Sequence, residues 1–182
     1  EPRLYDTQIS AINVGQGQSI LLKSDDAYYL VDCGSEKPDS AAETVTNYLL
    51  SQGITQLDGL VLTHYDTDHA GATLQLLSSI SARKIYMPNT QDTNGLRAAI
   101  ETSYTEQVEL ISDAQKLNIS DGEIIFYPSK TTVSDNESSI CILFQREDCG
   151  ILITGDRGEL GESMLLRNHV LPKVNLLVAG HS

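Results

Sequence analysis

"LDGLVLTHYDTDHAG", Leu57 to Gly71, is the stretch on which the reading of this chain turns. Its first half is a short continuous apolar run, of the kind found in a buried strand. Its second half puts His64, Asp66, Asp68 and His69 into six positions, and uses two of the chain's 4 histidines to do so. The strand is expected to end near Thr63 and a helix to begin near Asp68, so the cluster falls at a strand-to-helix turn. Ligand pockets in α/β folds collect there, at the carboxyl ends of strands. His64 and Asp66 are two apart and can converge from an extended turn. Asp68 and His69 point from the first helical turn toward a second centre. Imidazole with carboxylate is the donor set of a hydrolytic divalent metal. Asp68 alone would serve as a helix N-cap, and a lone histidine as a satisfied core residue. Four such residues in six positions exceed what capping needs.

Upstream of this stretch, Ile9 to Val14 and Ser19 to Lys23 read as two strands joined by the glycine turn "GQGQ". A phosphate-cradling loop would need a helix after its glycines, and here another strand follows. Ala27 to Val31 is a third strand, ending at Asp32-Cys33-Gly34. Residues 39 to 52 change period: Val45, Tyr48, Leu49 and Gln52 fall on helical spacing, with Ser40 as the cap and Gly53 as the stop. Downstream, Leu74 and Leu77 signal a helix, "KIYMP" a strand, and Leu96, Ile100 and Tyr104 another helix. Glu123 to Tyr127, Ser139 to Gln145 and Gly150 to Thr154 read as strands. "RGELGESMLLRN" reads as a helix, and "VNLLVAG" as a closing strand. The order fits an α/β sandwich with helices outside two sheets, in one domain of 182 residues.

Composition narrows the function. No apolar run approaches the length of a membrane span. With 12 Lys and Arg against 25 Asp and Glu, the net charge is −13, which argues against a broad basic surface for nucleic acid. Cys33, Cys141 and Cys149 form no CxxC pair and are expected to be buried thiols. Neither a GxSxG motif nor a catalytic cysteine context is present, which argues against nucleophilic serine or cysteine catalysis. The chain begins at Glu1 rather than Met, so it reads as a piece of a longer or processed protein.

His64-x-Asp66-x-Asp68-His69, after an apolar strand and before Ala70-Gly71, resembles the H-x-H-x-D-H motif of the metallo-β-lactamase superfamily. With "NVGQGQSILL", "YYLVDCG", "NESSICIL" and "ILITGD" in order, the chain is similar to the C-terminal metallohydrolase domain of the ComEC competence proteins. The resemblance runs from Ile9 to His181. It implies an αββα sandwich, here without the last strands and helix, because the family continues where this chain stops at Ser182. It also implies two divalent metal ions, and the carboxylate of Asp66 favours Mn²⁺ over Zn²⁺ among them. His64 and Asp66 would hold the first, Asp68 and His69 the second. Asp156 in "TGD" would bridge them, and His181 would be a late ligand. Asp68 and Asp156 would be the catalytic carboxylates, and Asp32 would organise the ligands.

Three departures from the pattern stand out. Asp66 replaces the usual histidine and makes the first site more oxygen-rich. "SDNESS" replaces the third-motif histidine, leaving Asn136 and Ser138 to line the pocket. "GHS" replaces the family's "GHHGS". His169 suits a surface or core position better than a ligand.

The activity implied is phosphodiester hydrolysis: a DNase acting in DNA uptake on the strand that is not imported. It would be a soluble domain of a membrane-embedded competence protein at the extracellular face of the membrane, with weak affinity of its own for DNA and no nucleotide cofactor. A secreted small-molecule phosphodiesterase of the same fold is the second reading. A degenerate domain that binds metal or a partner without catalysis is the third.

Overall fold

The computed structural model describes residues 7–120, 122–130, 136–147 and 149–180. In chain order its strands and helices are β1 (Thr7–Ala11), β2 (Ile20–Ser24), β3 (Ala27–Val31), α1 (Pro38–Ser51), β4 (Gln56–Leu57), β5 (Gly59–Val61), α2 (Thr67–Ala70), α3 (Thr73–Leu77), β6 (Ser81–Ala82) and β7 (Ile85–Pro88). Then follow α4 (Leu96–Ser103), β8 (Val108–Ile111), β9 (Gln115–Ile119), β10 (Gly122–Tyr127), a 3₁₀ turn (Asn136–Ser138), β11 (Cys141–Arg146), β12 (Cys149–Ile153), α5 (Glu159–Asn168) and β13 (Leu176–Val178). The chain divides into two compact units, residues 1–87 with 91–109, and residues 88–90 with 110–182.

The first unit is built on a sheet of order β1-β2-β3-β5-β7-β8. β1 to β3 form an antiparallel meander, and β3, β5 and β7 run parallel. Parallel strands covered on both faces need continuous apolar sequence, and Leu30, Val31, Leu60, Val61, Ile85 and Met87 are all buried. Each contributes about 1.5–3 kcal/mol of apolar burial. α1 packs against α3, turning Ala41, Ala42, Val45 and Leu49 inward. The pairing Val31↔Val61 brings the ends of β3 and β5 level. Asp32 and Thr63 therefore emerge side by side.

The second unit has a sheet of order β13-β12-β11-β10-β9, antiparallel except for the β12–β13 pair. Ile125, Tyr127, Cys141, Leu143 and Leu152 form one apolar face of it, packed with Leu165 of α5.

Several elements differ from the sequence expectation. β1 ends at Ala11, because Ile12 to Val14 turn into the glycine loop. β11 begins at Cys141 rather than Ser139, and α5 at Glu159 rather than Arg157. β13 is limited to Leu176–Val178, where it pairs with β12. Ser40 is not the cap of α1. Pro38 opens the helix after Lys37, its fixed φ suiting the first helical position and its missing N–H costing no bond there. The helix after the motif starts at Thr67, with Asp66 rather than Asp68 at the cap position. β8 and β9 have no counterpart in the sequence reading, since "VELI" and "QKLNI" are short, interleave apolar with polar residues and are largely half-buried. All three cysteines are free. Cys33 and Cys141 are buried as expected, whereas Cys149 is exposed at the start of β12.

Candidate metal centre

Everything at the end of β5 is organised around Asp32. The residue is fully buried at 0 % exposure and sits at φ +61, a left-handed conformation that a non-glycine residue seldom adopts. Its backbone N–H donates to the Val61 carbonyl at 2.8 Å, which extends the β3–β5 ladder by one step. Its carboxylate is ringed by donors. Oδ1 accepts the Thr63 backbone N–H at 2.7 Å. Oδ2 accepts the Thr63 hydroxyl at 2.7 Å, the Gln18 side-chain amide at 2.8 Å and His69 Nδ1 at 2.8 Å. Satisfying a buried carboxylate this fully offsets its loss of hydration.

The two histidines meet above this carboxylate. His64 and His69 are 1 % and 3 % exposed, with ring centroids 4.2 Å apart and planes tilted by 44°. His64 Nδ1 lies 3.0 Å from Thr63 Oγ1. His64 Nε2 lies 3.6 Å from Asp66 Oδ2. Two ligands of one divalent ion, each bonded at about 2.0–2.2 Å, stand roughly 3–3.5 Å apart, so this nitrogen and oxygen can serve a single ion with little movement. Asp66 and Asp68 are both half-buried, and Asp66 at the cap position makes no side-chain capping bond. The donor set thus fits a divalent metal: two buried imidazoles whose Nδ1 atoms are already engaged, with carboxylates beside them.

The glycine turn before β2 does more than join strands. Gln18 N–H donates to the Asp68 carbonyl at 2.9 Å, and Gly34 N–H to the Gln18 carbonyl at 3.3 Å. Cys33 N–H donates to the His69 carbonyl at 2.8 Å, and Ser35 N–H to that of Thr67 at 3.2 Å. A Cβ on Gly17 would collide with the backbone of Gly34, Ser35 and Asp68, and one on Gly34 would collide with that of Asp68 and His69. Only glycine lets three backbone segments approach this closely. The motif is held from below by main chain. Cys33 lies next to Asp32, and burial and then the Asp32 charge push its thiol up to about 12, so it stays protonated in the metal-free chain.

In the second unit, Asp156 is buried at 6 % exposure in the turn after β12. Gly155 takes φ +58, and the Thr154 hydroxyl accepts the Gly180 N–H at 3.2 Å. The buried Arg157 side chain donates from Nε to the Ser139 carbonyl at 3.1 Å and from Nη2 to the carbonyls of Tyr127, at 2.8 Å, and Ser139. Burial lowers the Arg157 pKa from its ordinary value. Glu137 Oε2 accepts the Gly161 N–H of α5 at 2.7 Å. Asn136 and Ser138 form the 3₁₀ turn with Glu137. Ser138 is buried, and the Asn136 carbonyl accepts the Ser139 N–H at 3.0 Å. His169 stacks on Tyr127 with ring centroids 4.7 Å apart. His181 lies outside the described residues.

The unit built around β5 therefore brings together Asp32, His64, Asp66 and His69 and places Asp68 on the same short helix. Thr63 and Gln18 at this centre, and Glu137 and Arg157 within the second unit, are structural participants outside the sequence expectation. Thr63 stood in the quoted stretch, and Gln18 in "GQGQ".

The Metallo-beta-lactamase superfamily model matches residues 12–178. The chain belongs to the metallo-β-lactamase superfamily. Among curated proteins it is 26 % identical to ComE operon protein 3 of Bacillus subtilis, over 96 % of this chain and 25 % of that protein. It is 28 % identical to Recombination protein 2 of Haemophilus influenzae, over 96 % of this chain and 21 % of the relative. It is 26 % identical to Competence protein ComA of Neisseria gonorrhoeae, over 88 % and 21 %. The chain thus spans a quarter or less of the length of these ComEC-type relatives. Among solved structures, a B3 metallo-β-lactamase with an active-site glutamic acid superposes with TM-score 0.68 at 13 % identity, covering 98 % of this chain and 77 % of the other. MEM-A1, a subclass B3 enzyme from a soil metagenome library, gives 0.65 at 13 % identity, over 95 % and 76 %. The mixed α/β metallo-β-lactamase fold is thereby shown, in a superfamily whose members are generally metal-dependent hydrolases.

Proposed function

We propose that this metallo-β-lactamase-fold chain is the phosphodiester-hydrolysing domain of a competence-type DNA-uptake protein, acting on the strand that is not imported at the outer face of the membrane. The observation that supports the chemistry is the buried histidine pair, anchored through Nδ1 and flanked by Asp66 and Asp68. The likeness to competence and recombination proteins along 88–96 % of the chain supports the substrate. The remainder of a longer parent, embedded in the membrane, would supply phosphate contacts that 12 basic residues cannot.

In this reading His64 and Asp66 would hold one divalent ion, and Asp68 and His69 a second. Asp156 would serve as the shared carboxylate ligand, and His181 as a late ligand. The oxygen-rich first site favours Mn²⁺ over Zn²⁺. When bound, such ions make water a stronger acid and neutralise charge on a phosphoryl oxygen. The protein's part is to present two imidazoles in fixed orientation and to accept the attacking water's proton, a role for which the half-buried Asp68 carboxylate is suited. Asn136 and Ser138 would line the pocket without holding metal.

The test is turnover of single-stranded DNA and of bis(p-nitrophenyl) phosphate by the EDTA-stripped chain resupplied with Mn²⁺. Cleavage of both should return with metal. In Asp156→Ala it should fall by about two orders of magnitude or more, because the bridging carboxylate serves both ions. Near-normal turnover in that variant would sink the dinuclear reading. Cleavage of the small ester alone would favour the stand-alone phosphodiesterase, and cleavage of neither substrate a non-catalytic domain.

A further inference from the structure

We propose that Thr63 is a positioning residue that carries the influence of Asp32 to His64, so that one buried carboxylate sets the tautomer of both histidines. The argument is one of proton counting. The Thr63 hydroxyl has a single proton and lies 2.7 Å from Asp32 Oδ2, a carboxylate oxygen that also accepts the Gln18 amide, while Oδ1 accepts the Thr63 N–H; the next nearest group to the hydroxyl besides His64 is His69 Nδ1, at 3.4 Å. Were the hydroxyl proton turned toward His64, two oxygens would stand 2.7 Å apart with no hydrogen between them. The proton therefore lies on the bond to Asp32. Thr63 Oγ1 is then an acceptor toward His64 Nδ1 at 3.0 Å, and that nitrogen must carry its hydrogen. His69 Nδ1 faces Asp32 Oδ2 directly at 2.8 Å and carries its hydrogen for the same reason.

Both rings are thus fixed as Nδ1–H tautomers, with the lone pair on Nε2. For His64 that is the atom 3.6 Å from Asp66 Oδ2. A side chain that only filled space would not dictate this. The register of the sheet does, since Val31↔Val61 pairing is what sets Thr63 beside Asp32. The value of the arrangement for metal capture rests on the function proposed above, but the tautomer assignment does not.

Long-range nitrogen-15 correlation spectra of the metal-free 182-residue chain, recorded well above the ordinary histidine pKa of about 6.5, read the tautomers directly. The wild type should show Nδ1–H on both His64 and His69; Nε2–H on either would overturn the proposal without any variant being needed. Thr63→Val keeps the shape and the backbone N–H but removes the relay. His64 should then lose its single tautomer while His69 keeps its own, and affinity for Mn²⁺ or Zn²⁺, measured by calorimetry, should fall about 10- to 100-fold. Thr63→Ser should restore both. A folded Thr63→Val chain with an unchanged His64 tautomer would overturn the relay, as would a serine variant that behaves like valine. A wild type with the expected tautomers that takes up neither ion would instead refute the metal reading.

Discussion

Asp66 lies 3.6 Å from His64 Nε2 with its side chain 40 % exposed, so water reaches the position at which the superfamily pattern places an imidazole. A carboxylate there favours an ion that tolerates oxygen ligands and water, whereas an imidazole would favour Zn²⁺. The wild type should therefore be activated by Mn²⁺ more than by Zn²⁺, and Asp66→His should move the preference toward Zn²⁺. Titrating each metal into stripped protein and measuring phosphodiesterase activity decides the matter. The same metal order in both proteins would mean that Asp66 holds no ion. At this scale chemistry and spacing point to His64, Asp66, Asp68, His69 and Asp32, and the structure brings Asp32, His64, Asp66 and His69 together. Thr63 and Gln18 were not legible. A threonine at a strand end and a glutamine just after a glycine turn look ordinary until a parallel register and a tight turn bring both onto one carboxylate.

Among the elements, the glycine-bearing turns after β1 and β3 form the floor of the motif. Gly34→Ala places a Cβ against the Asp68 carbonyl carbon at 2.5 Å and against the backbone of His69, none of which can rotate aside. We expect it to cost about 3–5 kcal/mol of stability, in the range of core overpacking joined to lost backbone hydrogen bonds. It should also weaken metal uptake, because the displaced backbone carries His69. Denaturant unfolding and metal calorimetry on the variant check both; a change below about 1 kcal/mol would show that the turn yields easily. Strands with a run of apolar residues were read to within a residue or two, as for β3 and β7. β8 and β9 escaped because strands that alternate with charged residues and are not fully buried carry too weak a period to stand out. The two-residue pair β4–β6 escaped for want of length. Ser40 has the side chain of a cap, but Pro38 opens the helix two residues earlier.

For the whole molecule, the dominant fact is the net charge of −13 on 182 residues. The visible cations are partly spent within the protein: Lys116 pairs with Glu123 at 3.0 Å, Arg97 with Glu101 at 3.1 Å, and Arg157 is buried against carbonyls. No helix among the described residues is long and apolar enough to cross a membrane. Affinity for a polyanion grows with the number of counterions released, with a slope of about −0.7 per phosphate neutralised on single strands. So few available cations predict a shallow slope and weak binding when the ions are absent. Adding Mn²⁺ should strengthen binding, since each divalent ion at the His64 and His69 ends would offset two of the negative charges that repel the strand. Fluorescence anisotropy with a labelled single-stranded oligonucleotide, across a salt series with EDTA and then with Mn²⁺, measures both quantities. Tight, steeply salt-dependent binding in EDTA would reveal a basic surface that the charge count conceals, and would move DNA recognition from the metal centre to the chain itself.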